Sequence, residues 1–299
     1  MNSPIAVFLY NRPDKSYKCL KSLSQNHHFN DSHLYIFIDG PKSITDKRQI
    51  ENVKKVVADF EFKNLKKVHV SNHNKGLAES IFQGVNKILS LYDTVIVIED
   101  DLILSRFFLN FINTCLNKYN YKDIYQVSGH NWGDSLESTN CPFLIPNINS
   151  WGWATWKSKW EGFKLGEIKK QEIEKFNLKL IKKFNLNNSY NYFKILKKHL
   201  QGKVDSWAIQ WYYFVFKNKG YTIYPSTSLV VNNGMDGSGT HTLSSNFNKR
   251  VVTEIKFDYP KKLRYKRNFF ELFCSDLKEA NSELLLKKIV IRVLHYLKK

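Results

Sequence analysis

Short apolar runs alternate along this chain with longer stretches in which apolar residues recur at helical spacing. Ile5-Ala6-Val7-Phe8-Leu9, Leu34-Tyr35-Ile36-Phe37-Ile38, Lys67-Val68-His69-Val70 and Thr94-Val95-Ile96-Val97-Ile98 are too short for helices and rich in β-branched or aromatic side chains, which predicts strands. Nearly continuous apolar character in such a strand implies burial on both faces, the condition of a parallel sheet. Between these runs, Lys15 to Leu23, Lys47 to Phe60 and Leu77 to Leu91 place apolar residues near a 3.6-residue period and predict helices. The alternation predicts an α/β fold, a Rossmann-like and mostly parallel sheet flanked by helices. Ligands in such sheets bind beyond the carboxyl ends of the strands.

The residues at those ends are polar and chemically varied. The first strand runs into Tyr10-Asn11-Arg12-Pro13, the second into Asp39-Gly40-Pro41, the third into Ser71-Asn72-His73-Asn74-Lys75-Gly76, and the fourth into Glu99-Asp100-Asp101. Three adjacent carboxylates repel one another, so their placement at a strand exit calls for a cation or hydrogen-bond donors. Oxygen-only ligation suits Mg²⁺ or Mn²⁺, which complete their coordination with water and substrate phosphates; the other reading is a solvated loop after a core strand. No G-x-G-x-x-G turn follows the first strand and no G-x-x-x-x-G-K-[ST] occurs, which argues against dinucleotide cofactors and P-loop chemistry. An arginine, a lysine, a lone Asp and an acidic triplet on one crevice suit a nucleoside diphosphate, with carboxylates for ribose and metal and cations for the pyrophosphate.

The ordered set F-x-Y-N-R-P, F-I-D-G-P, N-K-G-L, V-I-V-I-E-D-D-L, S-G-H-N and W-G-W-A-T-W resembles GT-A glycosyltransferases, specifically bacterial relatives of the N-acetylglucosaminyltransferase I type. The resemblance covers about residues 4 to 160 strongly and weakens toward about 245. It implies a metal-dependent, inverting transfer of a sugar from a nucleotide diphosphate, expected to be a UDP-sugar, to a glycan. Glu99-Asp100-Asp101 matches that family's metal motif, which implies Asp101 as metal ligand, Asp100 on the ribose and Glu99 on the donor sugar. Arg12 matches the arginine that approaches the diphosphate, and Asp39 the acid near the nucleoside base. Asn11 and Lys75 complete the expected donor set.

Acceptor chemistry falls to the second half. Trp151, Trp153 and Trp156, with Gly152 between the first two, read either as core or as a sugar-facing wall, and Trp153 is the candidate for the donor-sugar pocket. Asn131 is a candidate partner for a sugar hydroxyl, and His130 is as readily structural. Asp205, just before the aromatic run Trp207 to Phe216, is the candidate base for the acceptor hydroxyl; the other reading makes it the N-cap of the helix it precedes. Gly234, Gly237 and Gly239 predict a mobile loop that ends at His241, a candidate contact to the diphosphate.

The chain's 299 residues, 42% hydrophobic, suffice for a sizeable core. The expected division is a nucleotide-sugar-binding half at 1–130, an acceptor and catalytic half with a lysine-rich helical insertion at 131–255, and a basic helical segment at 256–299. Cys19, Cys115, Cys141 and Cys274 show no metal-like spacing, and reduced thiols in a cytoplasmic protein account for them. No secretory signal is evident. Forty-six Lys and Arg against 27 Asp and Glu, a formal net charge of +19, point to a polyanionic partner or surface. Nucleic acid is disfavoured, because no RRM, KH, zinc-finger or helix-turn-helix signature is present. A nucleotidyltransferase is the nearer rival, but Asn11-Arg12-Pro13 lacks the glycine-rich grip such enzymes place on a triphosphate. From Leu284 onward, Leu286, Val290, Val293 and Leu297 form one helical stripe and Lys288, Arg292, His295 and Lys299 another. That helix reads either as a peripheral contact with the inner face of a membrane, serving a lipid-linked acceptor in surface-polysaccharide synthesis, or as a helix docked on its own domain with a solvated basic face.

Overall fold

A computed structural model describes residues 2–234 and 255–297, with side chains to residue 282. Strands β1 (Ile5–Leu9), β2 (Leu34–Ile38), β3 (Leu65–Val70) and β4 (Thr94–Glu99) lie parallel in the order β3-β2-β1-β4. The expected strand runs are thus observed, β1 and β2 to the residue. Their side chains alternate between two layers. Ile5, Val7, Leu9, Ile96 and Ile98 face one apolar core with helices α1 (Pro13–Ser24) and α2 (Ile44–Asp59). Ala6, Phe8, Val95 and Val97 face a second core with α3 (Leu77–Leu89). A period of two with cover on both sides is why these runs look uniformly apolar.

After β4 the chain makes a tight acidic tip and turns into a short strand, β5 (Leu102–Leu104), then α4 (Phe108–Lys118), which packs in the first core. The sheet continues through β6 (Ile124–Ser128), β7 (Phe143–Ile145) and β8 (Trp153–Trp156). β8 inserts antiparallel between β4 and β6, so the two halves expected from the sequence share one sheet. The lysine-rich insertion forms α5 (Lys157–Trp160), α6 (Lys170–Glu174), α7 (Leu178–Phe184) and α8 (Tyr192–Leu200), followed by α9 (Trp207–Lys217). β9 (Tyr221–Tyr224) pairs parallel with β6 and antiparallel with β7, and β10 (Val230–Asn232) pairs antiparallel with β5 in a separate two-stranded sheet. A long C-terminal helix, α10 (Arg267–Leu297), seals the β7 edge: Phe273, Cys274 and Leu277 pack with Phe143, Tyr224 and Leu186.

This is the expected α/β class, a large and mostly parallel sheet flanked by helices, with a helical insertion and a C-terminal helix. Among the described residues no helix is long and apolar enough to cross a membrane. The strand order has one consequence for the site. From β1 the chain moves outward to β2 and β3, then returns to the other side of β1 as β4. The switch point between β1 and β4 is where a crevice opens in such sheets.

Candidate active site

Arg12 leaves the end of β1 and the acidic tip leaves the end of β4, so the switch point brings them together. The Arg12 guanidinium straddles two carboxylates: Nη2 is bonded to Asp100 Oδ1, Nε lies 3.3 Å from Asp100 Oδ2, and Nη2 lies 3.2 Å from Asp101 Oδ2. Pro13 opens α1, where its missing N–H leaves no helix donor unpaired, and Arg12 precedes it as the N-cap residue. Asp100 is nearly out of contact with solvent, and burial pushes its carboxyl up to about 6 against the pull of Arg12. Glu99 is held well above the usual carboxylate range by withdrawal from water and by the charges of Asp101 and Asp100. Three like charges at one strand end are thus reconciled by burial and one shared cation.

Asp101 keeps 15% of its side chain exposed, against 5% for Asp100. Its backbone carbonyl accepts from Asn233 N at 2.7 Å, one residue beyond β10, and Gly234 lies directly against its carboxylate. A Cβ on Gly234 would come within 2.3 Å of Asp101 Oδ2, so any larger residue there would displace the Asp101 carboxylate. Among the described residues no group of three or more His, Cys, Asp or Glu is arranged to hold a metal ion. The donor set is therefore one or two hard carboxylate oxygens, which fits Mg²⁺ or Mn²⁺ only if phosphates and water supply the remaining positions.

The other expected donor residues reach the same edge but are differently engaged. Asp39 accepts from Gly40 N, Asn74 Nδ2, Lys75 N and Gly76 N, at 2.8 to 3.3 Å. Its carboxylate ties the tip of β2 to the start of α3. Lys75 Nζ reaches Gln83 on α3 at 2.7 Å. Asn11 Nδ2 donates to Asp46 Oδ1 at 2.6 Å, and Asp46 is also held by Ser43, the N-cap of α2. That bond from Asn11 leads the causes that lower the Asp46 pKa. Asp46 was not singled out from the sequence; its only signal there is an acid three residues after a serine at a helix start.

Trp153 departs from expectation. Its indole is fully buried between Trp207, at 5.1 Å, and Trp160, at 5.7 Å. Burying an indole contributes on the order of 5 kcal/mol, so the ring serves packing rather than the crevice wall. Gly152, at φ +63°, is close to Phe108 and Val230, so its tight approach is also internal. The Asn131 amide donates to Gly133 O and Ser226 O, and His130 Nδ1 meets Ser228 Oγ at 2.9 Å. Both hold the loop after β6.

Asp205 is exposed, and it is not the cap. Ser206 occupies that position, its hydroxyl accepting from Ile209 N, so the N-cap reading of Asp205 is replaced. The Asp205 carboxylate instead reaches the start of α3: a Cβ built on Gly76 would lie 4.0 Å from its Oδ2. Since Gly76 N is bonded to Asp39, Asp205 stands beside the β2 tip. The candidate contact His241 lies outside the described residues.

The fold and this crevice define an α/β protein with an acidic tip and a bridging arginine at the sheet's switch point. No family model matches the chain, and no curated protein sequence matches it. Among solved structures it is similar to S. aureus TarS 1–349, with 11% identity and a TM-score of 0.45 over 77% of this chain and 60% of that one. It is also similar to mouse xyloside xylosyltransferase 1 in its apo form, with 10% identity and 0.38 over 72% and 81%. A third neighbour is 4-diphosphocytidyl-2C-methyl-D-erythritol synthase from Anaerococcus prevotii DSM 20548, with 8% identity and 0.39 over 75% and 87%. The chain spans less than two thirds of the TarS chain. At these scores the likenesses carry no argument about activity.

Proposed function

We propose that the protein transfers a sugar from a nucleotide diphosphate, a UDP-sugar in the first instance, to a hydroxyl of a glycan. The observation that carries this reading is the Arg12–Asp100–Asp101 group at the switch point, where the fold offers both a cation for a pyrophosphate and a partly hydrated carboxylate for a metal. Asp101 would hold Mn²⁺ or Mg²⁺, which when bound supplies Lewis-acid stabilisation of the leaving diphosphate. Arg12 binds the diphosphate charge, and Asp100, deep in the tip, orients Arg12 and meets the ribose. Asp205 takes the proton of the attacking hydroxyl. Its exposure at the crevice edge, free of the capping role, suits a base that meets an incoming acceptor. Inversion follows if Asp205 and the diphosphate lie on opposite faces of the anomeric carbon. A glycan of a bacterial surface polysaccharide, carried on a lipid, is the proposed acceptor class.

The test is hydrolysis and transfer across a panel of nucleotide sugars, with Mn²⁺ and with EDTA, for the native protein and Asp101→Ala. Metal-dependent turnover of one donor, lost in the variant while its melting temperature holds, is the expected result. Undiminished turnover in EDTA, or full activity of Asp101→Ala, overturns the metal-centred reading.

A further inference from the structure

From Lys175 to Val204 the lysine-rich insertion carries eight lysines and no Asp or Glu. All eight lysines are exposed. Outside this stretch the ordinary pattern returns, with Lys164, Lys170 and Lys217 set against Glu167, Glu174 and Glu172. Among the described residues none of the eight has a carboxylate within ion-pairing distance. Helix ends account for part of this charge. The last turns of α7 and α8 carry Lys182, Lys183, Lys197 and Lys198, where the carbonyl end of a helix favours a cation. Lys179 and Lys194 stand instead in first turns, where a cation is disfavoured, and each has another lysine four residues on. Both helices are capped by asparagine, Asn177 accepting from Leu180 N and Asn191 from Lys194 N. Aspartate would cap equally well and suit the dipole better, so these helices forgo acids that their own stability favours.

The basic surface leads to the crevice. Lys203 N bonds Lys198 O at 2.9 Å and His199 Nδ1 meets Val204 O at 3.1 Å, so the turn after α8 folds onto its last turn and delivers Asp205 beside it. Lys194, Lys197 and Lys198 share one side of α8, and Lys203 follows two residues before Asp205. We propose that the acceptor is an anionic glycan, bearing carboxylate or phosphodiester groups along its chain, and that α8 and Lys203 hold those groups while the acceptor hydroxyl meets Asp205. The proposal deepens the transferase reading and rests on it. Other polyanions fit this surface less well. A bilayer calls for apolar residues to insert, and Leu178, at the start of α7, is the one large apolar residue of the segment that stands strongly exposed. Single-stranded nucleic acid calls for open aromatic faces, but Phe176 stacks on Phe193 and Phe184 on Tyr212. A charged glycan asks for spaced cations beside the reacting centre, and α8 with Lys203 provides them.

Fluorescence anisotropy of labelled polygalacturonate and labelled phosphomannan, with neutral dextran as reference, tests the full chain without nucleotide. The expected result is that a charged glycan binds roughly tenfold tighter than dextran, and that Lys194→Gln/Lys197→Gln/Lys198→Gln removes roughly that tenfold. Which of the two binds identifies the anion as carboxylate or phosphodiester. The same loss of charge at the edge strand β3, Lys63→Gln/Lys66→Gln/Lys67→Gln, leaves affinity within about twofold. Native affinity no better than for dextran overturns the proposal without any variant, as does an equal loss in both triple variants. Tighter binding of a single-stranded oligonucleotide, or of vesicles containing phosphatidylglycerol, than of either charged glycan overturns it in favour of nucleic acid or membrane. Donor hydrolysis without acceptor reads the transferase assignment separately. It persists in the α8 variant, and its absence from the native protein with every donor ends that assignment whatever the glycan binding shows.

Discussion

Replacing Arg12 by methionine tests how the acidic tip is held together. Methionine keeps most of the apolar stem and removes the guanidinium bonded to both Asp100 and Asp101. In the native protein burial already pushes the Asp100 carboxyl up to about 6, with Arg12 opposing the rise. A carboxyl raised above its unfolded value, near 3.9, contributes stability that is fully present below that value and lost as pH rises through the folded one. For the native protein the loss therefore runs between about pH 4 and 6 and is complete by neutrality. Without the guanidinium, burial and Asp101 act unopposed, and the folded pKa moves above 6. The variant then continues to lose stability between pH 6 and 8. Each unit of further rise costs about 1.4 kcal/mol at high pH. Breaking a fully buried pair costs about 3–5 kcal/mol, but the Arg12 side chain is 25% exposed, which places the expected loss nearer 1–3 kcal/mol. For a chain of this size that is about 2–10 °C in melting temperature. Thermal melts of both proteins at pH 6, 7 and 8 should show the gap between them widening with pH. Millimolar Mn²⁺ should narrow it at pH 8 if Asp101 holds the ion. A gap equal at pH 6 and pH 8 would refute the argument that Arg12 keeps Asp100 ionised.

The remaining predictions separate chemistry from scaffolding. Asp205→Asn should lower turnover by about a hundredfold to ten-thousandfold with donor affinity and melting temperature unchanged, and wild-type kinetics in that variant would send the search for the base elsewhere. Ser206→Ala, one residue on, should do the reverse, costing about 1 kcal/mol of stability because it removes the real cap of α9, as a urea melt can check. Gly40→Ala would set a Cβ 2.3 Å from the backbone of His73, where neither side can give, so a drop in melting temperature and faster exchange of the Lys75 and Gly76 amides are expected; a melt within a degree of the native one would contradict that packing.

What the sequence disclosed follows the strength of local pattern. β1, β2 and β4 are buried on both faces, which writes itself as uninterrupted apolar residues, and the crevice follows once those strands are parallel. Three-residue strands have no period to detect, so β5 and β10, whose pairing supports Asp101, were not foreseen. β8 was hidden for another reason. Its tryptophans serve core and sugar contact equally well as residue types, and only tertiary placement shows Trp153 sealed between Trp160 and Trp207. Asp205 and Ser206 are both good capping residues, and a one-residue difference lies below the resolution of pattern. Asp39 was located at its strand tip, but the four groups that occupy its carboxylate come from a loop 35 residues or more away, apart from its own neighbour Gly40.

The pairing of β5 with β10 also bears on how the protein is made. Chains are synthesised from the amino terminus at a rate that lets early segments fold before later ones exist. β1 to β4 can assemble as soon as residue 99 has emerged. The tip that follows them waits for a segment that arrives about 130 residues later, since Asn233 bonds the Asp101 carbonyl and Gly234 closes on its carboxylate. For that interval on the ribosome the nascent sheet carries its acids without their final support. The same holds for any product cut short before Val230. Fragments ending there would keep much of the parallel sheet and lack a fixed Asp101, so the nucleotide binding proposed above would arise only as the last quarter of the chain is added.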